Sequence, residues 1–135
     1  MKRLQLAAGL LMTLAFSRVD AQTMDVRATI PFEFRMGQRV LEAGTYTMHH
    51  SNGLLTLWEE NGGKASMGLT IGTEPPTDSN TAVMVFHRYG DTYFLDKIWV
   101  PGYNIARGVI KSSFEKELAR RGPPDEDPNI VLQTK

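Results

Sequence analysis

The sequence predicts an all-β domain, a small antiparallel barrel or sandwich of about seven strands with one short C-terminal helix, preceded by a signal peptide. Three observations predict it. Apolar and polar residues alternate along residues 26–36, the pairs Asn52-Gly53 and Gly90-Asp91 each separate two β-rich runs, and residues 112–121 alone carry helix signals. Barrel and sandwich need the same inward alternation, so the sequence does not separate them.

In residues 26–36 the even positions Val26, Ala28, Ile30, Phe32, Phe34 and Met36 are apolar, and the odd ones are polar except Pro31. Period two means one face in the core and one in water. Proline has no N–H to give a ladder, so we expect one long strand bent near Pro31. The connector "MGQRVLE" and the turn "EAGT" follow. Next, "TYTMHH" and "LLTLWEE" flank Asn52-Gly53, the preferred pair for a type I′ loop because both central residues need positive φ. That turn places His50 opposite Leu55, Met48 opposite Leu57 and Tyr46 opposite Glu59. His49 and His50 then point to opposite faces and cannot share an ion.

A three-residue turn at Asn61-Gly62-Gly63 is expected to set Leu57 opposite Met67 and Leu55 opposite Leu69, on one apolar face. The polar, proline-rich residues 72–80 read as a loop. Gly90-Asp91, with glycine first, suits a type II′ turn. It pairs Tyr89 with Thr92, His87 with Phe94, Val85 with Asp96 and Val83 with Ile98 on one face. Arg88–Tyr93, Phe86–Leu95, Met84–Lys97 and Ala82–Trp99 lie on the other. Both faces are mostly apolar, which predicts cover on two sides. Lys97 is expected to lay its stem among Met84, Leu95 and Trp99.

Ser112 and Glu115 make a capping-box signature, and Phe114 and Leu118 an i, i+4 apolar pair. So short a helix needs a docking surface, and the outer face of the last hairpin is the expected one. The acidic, proline-rich residues 122–135 are expected to be disordered. The domain organisation is thus residues 1–21 leader, 22–121 one β-domain with its helix, and 122–135 tail.

The leader follows from Lys2 and Arg3, the apolar "LQLAAGLLMTLAF", and small Val19 and Ala21 before a cleavage point between Ala21 and Gln22. The apolar run is too short to span a bilayer, which takes about 20 residues. Removing residues 1–21 leaves 12 basic and 14 acidic residues, a net charge of −2. That balance gives no electrostatic hold on nucleic acid. With no cysteine there is no disulfide, no thiolate metal site and no lipid-bearing residue, so no membrane anchor is expected after cleavage. A periplasmic or secreted location follows.

Chemistry-bearing motifs are few. His87 and Asp96 fall diagonally on one face of their hairpin, about 5–8 Å apart. A carboxylate there would raise the histidine pKa and could orient it as a base. The ordinary alternative is an ion pair that satisfies Asp96, and no nucleophile stands at a motif spacing. "GGKASMG" fits neither a phosphate loop nor a serine elbow, and its glycines are turn glycines. Three histidines without H-x-x-x-H or H-x-H make no metal site, and no cofactor is expected. Arg88, Tyr89, Tyr93, Trp99 and Tyr103 are candidates for a ligand or partner surface, although strand aromatics are usually core.

The segments "VRATIPFEFRMGQRVLEAGTYTM" and "VFHRYGDTYFLDKIWVPG", followed by "ELARR", resemble a group of small exported proteins abundant in acidobacteria. The shared features are a signal peptide, an "IPF-x-F" strand, an "AGTY" turn and a "YFL…W" strand. The resemblance implies an exported β-domain and no particular reaction, cofactor or catalytic residue. The expected function is a non-enzymatic binding or structural role in the envelope, with a protein, glycan or small apolar ligand as partner. The alternative is a small hydrolase or isomerase using His87 and Asp96.

Overall fold

The computed structural model describes residues 24–76 and 80–134. The leader, the cleavage point at Ala21 and Gln22, and residues 77–79 lie outside them. The described chain is mostly β with one short helix: β1 (Met24–Ile30), β2 (Phe34–Met36), β3 (Arg39–Leu41), β4 (Gly44–Ser51), β5 (Leu54–Glu59), β6 (Ala65–Thr73), β7 (Val83–Tyr89), β8 (Thr92–Trp99), β9 (Ala106–Val109), α1 (Ser113–Arg121), β10 (Asn129–Val131) and β11 (Gln133–Thr134). Eleven strands among the described residues replace the expected seven. The additional ones are short: the first strand divides into β1 and β2, β3 forms in the connector after it, and β10 and β11 form in the C-terminal segment.

Hydrogen-bonded neighbours run β10-β7-β8-β9-β6-β5-β4-β1-β11, with the β2–β3 hairpin attached to β8. The path bends because strands change partners along their length. β6 gives residues 65–69 to β5 and residues 70–73 to β9. The bend at Pro31 sends the chain from β1, paired with β4, to β2, paired with β3 and β8. One bent strand was expected there; the corner instead makes two strands in different sheets. The β2–β8 bridge, Arg35 with Phe94, is parallel, the exception to the expected antiparallel pairing.

The two ends of the path, β10 and β11, are consecutive in the chain with Leu132 between them. β10 pairs β7 and β11 pairs β1, so the ladder stays open but its ends are joined through one buried leucine. This corrects the expectation of a disordered tail. Its backbone groups pair with the free edge of β7 at Asp125, Glu126 and Pro128 and reach Ala82 through Leu132. Composition measures how little the tail can bury; it does not see an edge waiting for it. Burying Leu132 alone contributes about 1.5–3 kcal/mol.

The β4–β5 hairpin has the expected register, with Asn52 at φ 53° and Gly53 at φ 80°. The β5–β6 register differs by one residue. Leu57 faces Ser66 and Leu55 faces Gly68, because Glu59 and Lys64 close a loop of four residues instead of three. A one-residue slip exchanges faces, so Met67, Leu69 and Ile71 point outward. Gly68 comes inward against Met36, whose side chain would lie 3.3 Å from a Cβ at that position. The β7–β8 hairpin follows expectation from Tyr89–Thr92 to Phe86–Leu95. A bulge at Asp96 then pairs Val85 with Lys97, Met84 with Ile98 and Val83 with Trp99. Met84, Phe86, Leu95 and Ile98 therefore all enter the main core, and Lys97 moves to the opposite face, its Nζ 3.4 Å from the Glu74 carbonyl.

Candidate functional site

The outer face of the β7–β8 hairpin is where the chemistry gathers. Phe94 is buried there, Tyr89 meets it edge-on, and α1 lies over it through a Phe94–Phe114 ring contact. Ser112 caps the helix by accepting from the Glu115 amide, and Arg120 and Arg121 sit in its negative last turn. The residue α1 buries is not the expected one. Phe114 stays 43% exposed and Leu118 half-buried, while Glu115 is 3% exposed. Glu115 does not complete the capping box; its carboxylate turns inward to His87.

His87 holds three carboxylates from three segments. Its Nδ1 lies 3.2 Å from Glu115 Oε2 of α1, and its Nε2 lies 3.4 Å from Asp96 Oδ2 of β8. Asp127 of the C-terminal segment stands 3.9 Å from Nε2, and Lys111 is 3.8 Å from the other Asp96 oxygen. The Glu115 hydrogen bond, partly opposed by burial and helped by the charges of Asp96 and Asp127, raises the His87 pKa. The expected approach of His87 and Asp96 is present, created by the bulge that aims Asp96 at the ring. Glu115, Asp127 and Lys111 escaped the sequence reading as partners because they lie far along the chain. Chemically, a raised pKa and a carboxylate at each nitrogen favour an imidazolium with both N–H groups engaged. General-base work needs the neutral ring with one nitrogen turned to a substrate.

The five residues offered as one partner surface are scattered. Tyr93 stacks on Phe32 at 3.9 Å on the core side, opposite Tyr89. Arg88 binds Glu126 at 2.8 Å and the Gly90 carbonyl at 2.7 Å. Trp99 is buried, its Nε1 donating to the Tyr103 carbonyl at 3.2 Å. Tyr103 is half-open on a separate loop. The side chains of Arg88, Tyr89, Tyr93 and Trp99 are occupied in holding the domain together.

A second polar cluster lies under the β4–β5 turn. His50 is buried, and its Nε2 is 3.1 Å from Thr70 Oγ1, which itself donates to the Gly53 carbonyl at 3.0 Å. Arg107 Nε donates to the same hydroxyl at 3.2 Å. Since Thr70 spends its proton on Gly53, His50 is the donor to it, with the neutral ring protonated at Nε2. Burial first, then the charges of Arg107 and His49, lower the His50 pKa. His49 faces away, as expected.

Two surface features remain. The outward face of β5–β6 presents Leu54 opposite Leu69 and Trp58 opposite Ala65, and Met67, Leu69 and Ile71 are 60%, 64% and 58% exposed. Around the side of the sheet, a cleft separates β3 from the start of β6. Its inner part is a cavity of about 190 Å³ lined by Glu33, Glu42, Glu59, Lys64, Tyr46 and Ser66 among others. Tyr46 donates to the Glu42 carbonyl at 2.5 Å, and burial pushes its hydroxyl pKa up to about 12.

Among the described residues no group of three His, Cys, Asp or Glu side chains is disposed to hold a metal ion, and no helix is long and apolar enough to cross a membrane. No family model, curated protein or solved structure matches the chain.

Proposed function

We propose that the protein is an exported, non-enzymatic binding domain of the periplasm or cell envelope, freed from residues 1–21 and docking an envelope protein that carries its own apolar surface. The observation that carries this reading is the outward face of β5–β6. Leu54, Trp58, Met67, Leu69 and Ile71, half of the ten large apolar residues exposed among the described residues, form a stripe on these two adjacent strands. Stripes of this kind mark partner surfaces. Strand positions facing only water normally carry polar residues, as Thr29 and Thr45 do across β1–β4. A glycan or a small apolar ligand is favoured less, because none of the stripe residues lines one of the pockets described, and such ligands need concavity.

The alternative, a hydrolase or isomerase built on His87 and Asp96, has their 3.4 Å approach in its favour. Against it stand the carboxylates at both ring nitrogens and the absence of a nucleophile beside them among the contacts described.

The test compares the exported protein with its Met67→Lys/Leu69→Lys variant. Both positions are exposed, so thermal stability should stay within a few degrees. Cross-linking in envelope extract should give a discrete adduct with the native protein that the variant loses. Equal adducts from both, or none from either, would remove the stripe as a docking face. Amino-terminal sequencing of the same sample should begin at Gln22.

A further inference from the structure

The cleft between β3 and β6 is a place where the sheet forks and does not close. β8 carries β2–β3 on one branch and β9, then β6, on the other. Among the described residues β3 pairs only β2, and β6 pairs β9 only from Thr70 onward. Both branches therefore present a strand edge to the same cleft, with Arg39 and Val40 on one wall and Lys64, Ala65 and Ser66 on the other.

Ladder alternation tells which backbone groups face it. The pairs Glu59–Lys64 and Gly53–Thr70 exchange hydrogen bonds across β5–β6, as Glu59 N–H to Lys64 carbonyl and Thr70 N–H to Gly53 carbonyl. Every second residue between them does likewise, so Ser66 and Gly68 also turn toward β5. Ala65, Met67 and Leu69 turn the other way, and Leu69 uses its carbonyl to accept from Ile110. Across the cleft, Met36 and Arg39 close the two-residue β2–β3 loop, which leaves Val40 turned outward. The amides and carbonyls of Val40, Ala65 and Met67 thus line an opening where the ladder lacks a strand.

We propose that this opening binds an extended peptide by strand addition, seating a lysine or arginine side chain of that peptide in the inner cavity. Strand edges supply main-chain hydrogen bonds for such recognition, and pockets for alternate side chains supply selectivity. The cavity is the pocket here. It lies inward of the two edges, has room for about six waters, and sets Glu33, Glu42 and Glu59 against one ammonium, Lys64. That imbalance favours a cation at the inward position. An acidic side chain there would meet three carboxylates. The inference does not depend on what docks at the outward face of β5–β6.

The test uses the full chain and a fluorescein-labelled nonapeptide alternating threonine and valine with one central lysine. Fluorescence anisotropy should report binding. Replacing the lysine by glutamate, or N-methylating alternate peptide amides, should each weaken it by about tenfold or more, the value of one lost charged or backbone hydrogen bond. Val40→Pro removes an edge N–H that serves no ladder and should weaken binding equally. Should that variant misfold, amide exchange in the native protein replaces it, with Val40, Ala65 and Met67 becoming protected only when peptide is present. Binding indifferent to N-methylation, or no binding at millimolar peptide, overturns the proposal. Self-association without peptide that occupies the same three amides also overturns it, assigning the opening to a second copy.

Discussion

His50 and His87 are both strand residues whose rings are largely shielded, and their protons are held in opposite ways. His50 meets a hydroxyl with an arginine behind it and favours the neutral ring. His87 meets Glu115, Asp96 and Asp127 and favours the cation. Burial acts in the same direction on both. The difference lies in the charge that the neighbouring segments bring. The His50 cluster ties β4 to β6 and β9 by neutral hydrogen bonding. The His87 cluster uses charge to fasten α1 and the C-terminal segment onto the β7–β8 hairpin.

Breaking the charged side should have the largest effect. Glu115→Ala removes the one carboxylate α1 buries, and urea unfolding at pH 6 should show a loss of about 1.5–3 kcal/mol, the range for a hydrogen bond to a charged group. Glu115→Gln sharpens the point: the helix should persist by circular dichroism while NMR titration moves the His87 pKa back toward 6.5. A His87 pKa unmoved by either change would separate the ring from Glu115. On the neutral side, Thr70→Val strands the His50 N–H and the Arg107 Nε and should cost about 1–2 kcal/mol. That loss should hardly vary between pH 7 and pH 8.

The pH dependence separates the two clusters more gently. For His87 the folded pKa lies above the unfolded 6.5, so its contribution is complete below 6.5. It is lost as pH rises from there through the folded value, because the folded state still holds a proton the unfolded chain has released. For His50 the folded pKa lies below 6.5, so its contribution is complete above 6.5 and is lost as pH falls through the folded value. Urea midpoints should therefore flatten on the alkaline side in His87→Gln. In His50→Gln they should flatten on the acid side just below pH 6.5. Exchange of those two effects would reverse the comparison. The smallest change belongs to Glu117, which pairs with Arg120 at the open end of α1. Glu117→Ala should stay within about 0.5 kcal/mol.

How much of this was legible varies by element for physical reasons. The β4–β5 hairpin could be read in full because Asn52-Gly53 admits one turn type and period two does the rest. The first turns of β7–β8 were legible for the same reason, and the reading stopped at Asp96, since a bulge residue looks like one more polar position. Hydrophobicity put Met67 and Leu69 inside. The structure puts Gly68 there, because Met36 from another strand needs that space. His87 near Asp96 was visible as a diagonal pair, whereas Glu115 looked like a cap and Asp127 like part of a loose tail.

Local chemistry alone settled that the chain is built of paired strands, where the tight turns fall, which way His49 and His50 face, and where the helix begins. Those depend on φ preferences and on side-chain alternation, which act between near neighbours. The tertiary structure decided the slip of β6, the bulge at Asp96, the docking of α1 by a carboxylate and the recruitment of residues 122–134 to the β7 edge. Each of these depends on what a distant strand leaves empty or unpaired, and only the folded chain brings the two together.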